Sequence, residues 1–400
     1  MLHVASGMKH QAFDQDPRQT IEQEKRSQGH WITMTYPDAP HLDVTFVMEQ
    51  HVGHQTYYQN LRRAVEQDGR IRGRWAAVTY TGASLLLARL PGLPESVRGT
   101  LQGMLQVRRT LTAGHYGVAF FNTQVPAALA AGLVRRYPYV LATDITPRQY
   151  DRMSHLYNHK ADRGGPLAAY KHRVNVALFR GAFRILPWSN WTRYSLVQDY
   201  GVSLSKLEVV PPGVDLQQWV PGPRQADGPL RILFVGGDFY RKGGATLLKA
   251  FRSLPAGTAE LHLVTRTQIA PEAGLTTYYT MRPNTPELIA LYQRAEVFVL
   301  PTEAEAFGIA AIEASAAGLA LVVTAVGGLV DVVAEGESGF LVPPGEANPL
   351  GARLAQLGAD PELRERMGRA ARARAECYFD AQRNAARVIA HLRAAAGLDL

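Results

Sequence analysis

The second half of this 400-residue chain alternates short apolar runs with helix-like segments, and this alternation restricts it to an α/β fold. Strands are predicted at 231–235, 261–265, 277–281, 297–300, 320–323 and 340–342. Helices are predicted near 243–254, 286–295, 308–317, 329–335 and 349–357. A capping residue followed by proline marks three helix starts, at 285–286, 348–349 and 360–361. The spacing predicts a doubly wound parallel sheet, covered on both faces, with ligands at the carboxyl ends of the strands.

The first half shows the same alternation after a polar start. Residues 1–40 lack apolar periodicity, so we predict a polar N-terminal extension there. Strands follow at 42–48, 75–79, 118–121, 139–143 and 184–187. The prolines and glycine of LEVVPPGVDLQQWVPG at 207–222 predict a junction between two α/β domains, at 41–205 and 206–379.

Charge and cysteine content limit the classes of protein to which this chain can belong. The 43 Lys and Arg against 35 Asp and Glu give a net charge of +8, which favours an anionic partner. The single cysteine, Cys377, excludes a disulfide scaffold and a cysteine zinc cluster within the chain. Neither an export signal nor a spanning apolar segment is evident, so we predict a cytoplasmic enzyme and leave peripheral membrane contact open. The interleaved basic and aromatic motifs typical of nucleic-acid binding are also not evident.

A glycine-rich turn follows the strand predicted at 231–235. In GGDFYRKGG at 236–244, Gly236 and Gly237 permit close backbone approach, and Arg241 and Lys242 add positive charge at a helix start. The turn matches neither GxxxxGK[ST] nor GxGxxG, so a P-loop and a nicotinamide site lose support. The pattern predicts a diphosphate pocket; the alternative is an ordinary turn with a solvated Arg-Lys pair.

Two glutamates occupy the segment LPTEAEAFGIAAIEASAAG at 300–318. Glu305 follows a predicted strand, and Glu313 lies in a helix whose neighbours are small and apolar. A buried carboxylate needs a partner, and the vicinal hydroxyls of a ribose are suitable donors. We therefore predict a ribose at Glu313 and the sugar end of the same ligand at Glu305. The alternative is that Glu313 pairs with an arginine while Glu305 is solvated.

These motifs resemble glycosyltransferase family 4, the retaining nucleotide-sugar transferases of GT-B fold. The match includes Glu305-x7-Glu313, the turn at 236–243, PPGVD at 211–215 and GG at 327–328 before GESGFLVPPG at 336–345. The resemblance implies two facing Rossmann-like domains with a cleft between them, the first binding the acceptor and the second the nucleotide sugar. It also implies metal-independent transfer and a C-terminal helix, at 380–400, that packs back on the first domain.

The resemblance also implies roles for individual residues. Glu313 would bind the donor ribose, Glu305 would act on the transferred sugar, and Lys242 would neutralise the diphosphate. Backbone N–H groups of Phe307, Gly308 and Ile309 would meet the ligand, with the base near Met281 and Arg282. Two positions depart from the family pattern. Gly237 stands where an arginine is usual, so Arg241 would supply that charge. Asp144 stands where a histidine is common, and it would take that catalytic position and orient a sugar hydroxyl.

The loop MEQHVGHQTYYQNL at 48–61 follows the first strand, where the family places a glycine loop near the phosphates and acceptor. Gly53 is the predicted close-approach residue, and His54 is predicted to contact acceptor or phosphate. His51 and His54 suggest a metal pair, but no third ligand follows at a suitable spacing, so no metal is predicted.

The sequence thus predicts a hexosyltransferase that uses a UDP- or GDP-sugar and needs no cofactor. The acceptor, which is a saccharide, lipid, protein or small metabolite, and the oligomeric state are left open. The alternatives are another GT-B enzyme, such as a phosphorylase or a nucleotide-sugar epimerase, or a non-catalytic protein that binds sugar nucleotides or nucleic acid.

Overall fold

Two parallel β-sheets with helices packed against them form the described part of the chain. The computed structural model describes residues 41–50, 53–80, 95–114, 117–157, 161, 164–223 and 228–398. The extension predicted at 1–40 lies outside these residues. The α/β fold class is confirmed, and all strand pairs within both sheets are parallel.

The first sheet has the order β2-β1-β3-β4-β5. Its strands are β1 (Leu42–Glu49), β2 (Ile71–Val78), β3 (Val118–Phe121), β4 (Tyr139–Thr143) and β5 (Arg184–Pro187). Its helices are α1 (His54–Asp68), α2 (Glu95–Thr112), α3 (Gln124–Leu129), α4 (Ala131–Val134), α5 (Pro147–Arg152), α6 (Gly165–Gly181) and α7 (Asn190–Tyr200). The strand order reverses between β1 and β3, which is where a doubly wound sheet opens a ligand crevice.

The second sheet has the order β11-β10-β9-β6-β7-β8. Its strands are β6 (Leu230–Val235), β7 (Ala259–Val264), β8 (Leu275–Tyr278), β9 (Val297–Leu300), β10 (Ala320–Thr324) and β11 (Gly339–Val342). The helices are α8 (Gly244–Arg252), α9 (Pro286–Arg294), α10 (Ile309–Ala316), α11 (Leu329–Val332), α12 (Ala347–Ala359), α13 (Pro361–Tyr378) and α14 (Ala381–Ala395). This is the order of a Rossmann sheet, with its reversal between β6 and β9.

The central strands are buried along their whole length because helices cover both faces of each sheet. Every residue of β3, β4, β9 and β10 is buried. Strands with one solvated face would alternate apolar and polar residues instead. The continuous runs that predicted strands in the sequence are therefore the cores of the two sheets.

The helix starts confirm one of the predicted caps fully. Asp360 Oδ1 accepts a hydrogen bond from the Leu363 backbone N–H at 2.8 Å. Thr285 does precede α9, but its hydroxyl donates to the Arg282 carbonyl at 3.1 Å and does not cap the helix. The prediction of a cap at Asn348 was wrong, since α12 begins at Ala347 and the proline lies within its first turn, where a missing N–H leaves no helical bond unmade.

The last helix, α14, contacts both the first sheet and the segment at 207–222 that connects the two sheets. It packs against α1, β3 and β4. Asn384 Nδ2 donates to the Pro211 carbonyl at 3.0 Å, and Glu208 accepts from His391 Nε2 at 2.7 Å and Arg387 Nη2 at 2.9 Å. The hydrogen bond from His391, and then the Arg387 contact, lower the pKa of Glu208 to about 2 despite its partial burial. The domain boundary at 205/206 remains a prediction.

Among the described residues, none of the helices combines the length and apolar character needed to cross a bilayer.

Candidate functional site

The turn after β6 brings the carboxyl ends of β6 and β9 into close contact. Gly243 has a φ of 76°, and a Cβ atom there would lie 1.8 Å from the Pro301 carbonyl oxygen. A side chain at this position would thus be excluded by both backbone conformation and space. Of the predicted glycine pair, Gly236 donates its N–H to the Val264 carbonyl at 2.9 Å, and Gly237 lies beside Arg266.

Lys242 and Glu305 form an ion pair across this contact. Lys242 Nζ donates to Glu305 Oε2, and the two side chains are 18% and 10% exposed. The two residues were predicted at one ligand from separate sequence motifs, and in the structure their side chains meet. A mostly buried pair of this kind balances its own charge and places a cation and an anion side by side at the sheet edge.

Arg241 adds a second cation beside this pair. Its Nη1 donates to the Ala304 carbonyl at 3.0 Å, and its Nε donates to Asp238 Oδ2 at 3.2 Å. The guanidinium carbon lies 4.7 Å from the ring centre of Tyr157, a residue that follows the first sheet's α5. Arg241 therefore contacts both halves of the described chain.

Glu313 is buried in α10 and is partnered by Tyr292. Its side chain accepts a hydrogen bond from the Tyr292 hydroxyl at 3.0 Å, and the residue is 4% exposed. Burial raises the pKa of Glu313 to about 7, and the Tyr292 hydrogen bond opposes that rise in part. Pairing with an arginine, the alternative weighed from the sequence, is not what the described residues show. No hydrogen bond or ion pair in that part of the chain joins Glu313 to Lys242 or Glu305.

A second glycine pair holds the loop that carries Glu305. Gly327 has a φ of 57°, and a Cβ atom there would lie 1.7 Å from the Glu305 carbonyl oxygen. Gly328 donates its N–H to the Ala306 carbonyl at 3.1 Å. The GG motif at 327–328 thus acts on the position of Glu305, at the loop leading into α10.

The residues between Glu305 and α10 divide between loop and core. Gly308 precedes the first helical residue, Ile309. The Phe307 ring is buried and packs edge-on against Trp188 and Phe379, with ring centres 5.9 and 6.2 Å away. The Phe307 side chain is thus part of the core, while contact of these three backbone N–H groups with a ligand remains a prediction.

Met281 and Arg282 lie beyond the strand that was predicted to end at them. Strand β8 ends at Tyr278, and the chain then turns before α9, with Asn284 at a φ of 59°. Met281 packs against the core, and Arg282 is exposed. Their placement near a base remains a prediction.

At the carboxyl edge of the first sheet, His54 and Asp144 are brought together. His54 Nε2 lies 3.3 Å from Asp144 Oδ2, and the imidazole ring packs beside Trp188 with ring centres 5.0 Å apart. Burial lowers the pKa of His54, but the charge and hydrogen bond of Asp144, with the charge of Glu49, outweigh it and raise the pKa above its usual value.

Asn122 and Glu49 hold this histidine from its other side. The Glu49 N–H donates to Asn122 Oδ1 at 2.7 Å, and Asn122 Nδ2 donates to the Glu49 carbonyl at 3.0 Å. The amide nitrogen of Asn122 therefore faces His54 Nδ1, at 3.4 Å. This contact favours the tautomer in which Nδ1 accepts and Nε2–H donates to Asp144.

Glu49 and Thr123 were not predicted from the sequence as functional residues. The Thr123 hydroxyl donates to Glu49 Oε2, and both residues are buried. The signal available in the sequence was their position, since each follows or ends one of the two strands that flank the reversal of strand order.

The carboxyl edges of the two sheets face one another. A Cβ atom at Gly53 would lie 3.8 Å from Cδ1 of Ile309 in α10. Between α7 and α11, the Asn190 N–H donates to Asp331 Oδ2 at 2.7 Å, and Asn190 Nδ2 donates to Asp331 Oδ1 at 2.9 Å. The two edges therefore meet at these contacts, while a ligand site shared by the predicted residues of both halves remains a prediction.

In the part of the chain that the structure describes, no three His, Cys, Asp or Glu side chains lie close enough together to hold a metal ion. His51, one member of the pair considered from the sequence, lies outside the described residues.

Curated proteins and a family model match the chain. The model described as "Glycosyl transferases group 1" matches residues 217–374. The D-inositol 3-phosphate glycosyltransferase of Arthrobacter sp. (strain FB24) is 32% identical over 317 residues, 74% of each chain. That of Paenarthrobacter aurescens (strain TC1) is 33% identical over 229 residues, 52% of this chain and 56% of the relative. The glycogen synthase of Mycobacterium tuberculosis (strain H37Rv) is 30% identical over 231 residues, 54% and 56% of the two chains. The matches thus span between about half and three quarters of these relatives' length.

Solved structures share the fold at low identity. Sucrose-phosphate synthase from Thermosynechococcus elongatus superposes with a TM-score of 0.72 at 19% identity, covering 90% of this chain and all of that one. Anabaena HepE in complex with UDP-glucose superposes with a TM-score of 0.65 at 18% identity, covering 88% of this chain and 100% of that one. These likenesses confirm the predicted GT-B fold.

Proposed function

The chain belongs to the group 1 glycosyl transferases, and on that premise we propose that it moves a sugar from a nucleoside diphosphate sugar to an acceptor hydroxyl. The observation that carries the proposal is the Lys242–Glu305 ion pair, which has Arg241 beside it, at the carboxyl ends of β6 and β9. Opposite charges at one crevice suit a ligand that is anionic at its diphosphate and rich in hydroxyl groups at its sugar.

The donor would lie along the second sheet's edge. The diphosphate would bind Lys242 and Arg241, the transferred sugar Glu305, and the ribose Glu313. Anabaena HepE has been solved with UDP-glucose, and by analogy UDP- and GDP-sugars are the first donors to test here. Lys242 would exchange the carboxylate of Glu305 for a phosphate oxygen when the donor binds, which frees Glu305 to accept from a sugar hydroxyl.

The reaction breaks the bond between the anomeric carbon and the diphosphate oxygen, and it forms a bond from that carbon to the acceptor oxygen. The acceptor proton leaves with the departing diphosphate. Lys242 and Arg241 would stabilise the negative charge that develops on that diphosphate, a role that needs no metal. Retention at the anomeric carbon follows from the family resemblance and is part of the proposal.

The acceptor would bind at the first sheet's edge, where Gly53, His54 and Asp144 lie. The hydrogen bond from His54 Nε2 would leave the second oxygen of Asp144 to accept from a substrate hydroxyl. A saccharide, a lipid, a protein or a small metabolite would each offer such a group. The proposed location is the cytoplasm, with peripheral contact to the inner membrane face for a lipid acceptor.

A ligand screen followed by one variant tests the donor site. Thermal shift and calorimetry with UDP, GDP and their nucleosides should show stabilisation by a diphosphate, since ligands that favour the folded form raise its melting temperature. Lys242→Ala should weaken diphosphate binding by about tenfold to a hundredfold, the range for a charge-assisted contact, and weaken nucleoside binding much less. Lys249→Ala, on the exposed face of α8, is the matched control.

Product analysis with labelled donor tests the reaction. Transfer of label to an acceptor supports the proposal. Exchange of label with inorganic phosphate or isomerised nucleotide sugar would indicate a phosphorylase or an epimerase instead. An unaltered chain that binds neither diphosphate would contradict the donor site itself.

A further inference from the structure

We propose that Tyr157, on the first sheet's side of the crevice, is a positioning residue for Arg241 and so a part of the donor site. The inference rests on the proposed function, because it assigns Arg241 to the diphosphate. It goes beyond it by making donor binding depend on a residue of the half that is expected to bind the acceptor.

Tyr157 is held firmly on its own side. Its N–H donates to the carbonyls of Met153 and Ser154 at 3.3 and 3.2 Å, in the turns that follow α5. Its ring packs beside that of Tyr150, with ring centres 5.1 Å apart. The aromatic face that meets Arg241 therefore belongs to a fixed local structure.

Arg241 is held on three sides. Its guanidinium edges donate to Ala304 and Asp238, and Tyr157 covers one face with 4.7 Å between the guanidinium carbon and the ring centre. The side chain is 18% exposed, so much of the water that would weaken a cation–π contact is excluded. Removing the ring would leave the guanidinium free to tilt about its two edge hydrogen bonds.

The surroundings of the phenol keep the ring neutral. Burial raises the pKa of Tyr157, the charges of Glu305, Asp144 and the neighbouring Tyr150 raise it further, and Arg241 opposes them. Charged groups of both halves thus act on the same phenol. Tyr157 thus lies where the two sheet edges meet.

Motion between the two halves would change the contact between Tyr157 and Arg241. The ring can cover Arg241 only while the two edges are close, so separation of the halves would release the guanidinium. Diphosphate would then be held by an oriented Arg241 in the closed arrangement and by a mobile one in the open arrangement. Donor affinity is therefore coupled to closure through a single aromatic contact.

Two substitutions at Tyr157 distinguish the effect of the aromatic face on UDP affinity from the effect of apolar packing alone. Tyr157→Phe keeps the face and should keep UDP affinity within about twofold. Tyr157→Leu keeps apolar volume but has no π-system, so it should lose about tenfold in UDP affinity, the range of a largely desolvated cation–π contact. Uridine, measured by competition, should bind both variants like the unaltered protein. GDP and guanosine replace these probes where the chain prefers guanine.

Arg241→Gln removes the other partner of the same cation–π contact and leaves Tyr157 intact. In that background Tyr157→Leu should have little further effect on UDP affinity, because the partner of the ring is already absent. Tyr170→Leu, on the exposed face of α6, is the control substitution.

The outcomes are distinct. Tyr157→Leu binding UDP as the unaltered protein does, or additive losses in the double variant, overturns this inference and leaves the proposed function intact. Equal losses for UDP and uridine also overturn it, since the ring would then act on the nucleoside or on the fold. An unaltered protein that binds neither diphosphate overturns both the inference and the proposed function.

Discussion

The carboxyl edges of the two sheets differ in the residues that they carry and in how the polar groups of those residues are paired. The first edge is a cluster of polar side chains that satisfy one another: Glu49, Asn122, Thr123, His54 and Asp144. The second edge is a glycine-rich turn and loop that bring cations to backbone and to a single carboxylate: Gly243, Gly327, Arg241, Lys242 and Glu305.

Because the pairing of polar groups differs, substitutions at the first edge should affect mainly stability, and substitutions at the second edge should affect mainly activity. Side chains that satisfy one another's hydrogen bonds in the core stabilise the fold, so their removal exposes unpaired groups. Charged side chains at a crevice keep part of their surface for a ligand, so their removal affects binding and catalysis first. Substitution of matched residues on the two edges should therefore separate loss of activity from loss of stability.

The largest effect is expected at the second edge. Glu305→Gln removes the charge that pairs with Lys242 and that is proposed to act on the sugar. We expect kcat/KM to fall by about a hundredfold or more, as when one preorganised electrostatic contact is lost. Glu303→Gln, an exposed residue of the same loop, should change it by less than about threefold. Similar losses in both variants would show that the loop, and not the Glu305 carboxylate, is responsible.

The next effect is a pH dependence of stability that comes from Glu313, the buried acid beside the second edge. Its pKa is raised to about 7 from 4.5, so the folded chain binds more protons than the unfolded chain between these pH values. Stability must then fall as the pH rises from 4.5 to 7 and level off above that. The loss attributable to this residue is about 3 kcal/mol.

Glu313→Gln should remove that slope in denaturant titrations across the pH range. Tyr292→Phe should extend it to higher pH, because the lost hydrogen bond was lowering the pKa of Glu313. A difference between the unaltered chain and Glu313→Gln that stays constant from pH 4.5 to 8 would show that Glu313 keeps an ordinary pKa.

The smallest effect is expected at the first edge, and it is on folding. Asn122→Ala leaves the buried N–H and carbonyl of Glu49 without their partner and should lower the free energy of unfolding by about 2 kcal/mol. It should also raise the KM for the acceptor more than that for the donor, because the tautomer of His54 is no longer held. Denaturant titration and steady-state kinetics measure both.

Asn175→Ala, at a partly exposed position of α6, is the control for Asn122. Unchanged stability in Asn122→Ala would remove the distinction between a self-satisfied first edge and a ligand-directed second edge. An equal rise in the KM values of donor and acceptor would show that Asn122 does not act on one substrate.

The site could be predicted from the sequence wherever residue type and strand position coincide. Lys242 and Glu305 lie at the ends of adjacent strands, and their encounter follows from a parallel sheet in which those strands are neighbours. Tyr292 and Tyr157 had no such signal. Tyr292 is one of several apolar-face residues on α9, and Tyr157 lies in irregular turns, so their partners follow from packing between elements far apart in the chain.

What the sequence by itself determined is the order of strands and helices, the glycine turns and the family. These follow from local periodicity, backbone freedom and motif spacing, each of which acts over a few residues. What only the tertiary structure decided is which groups meet: Tyr292 with Glu313, Asn122 with His54, and Tyr157 with Arg241. Those contacts depend on how side chains from separate elements fill a shared volume, and no local pattern encodes that geometry.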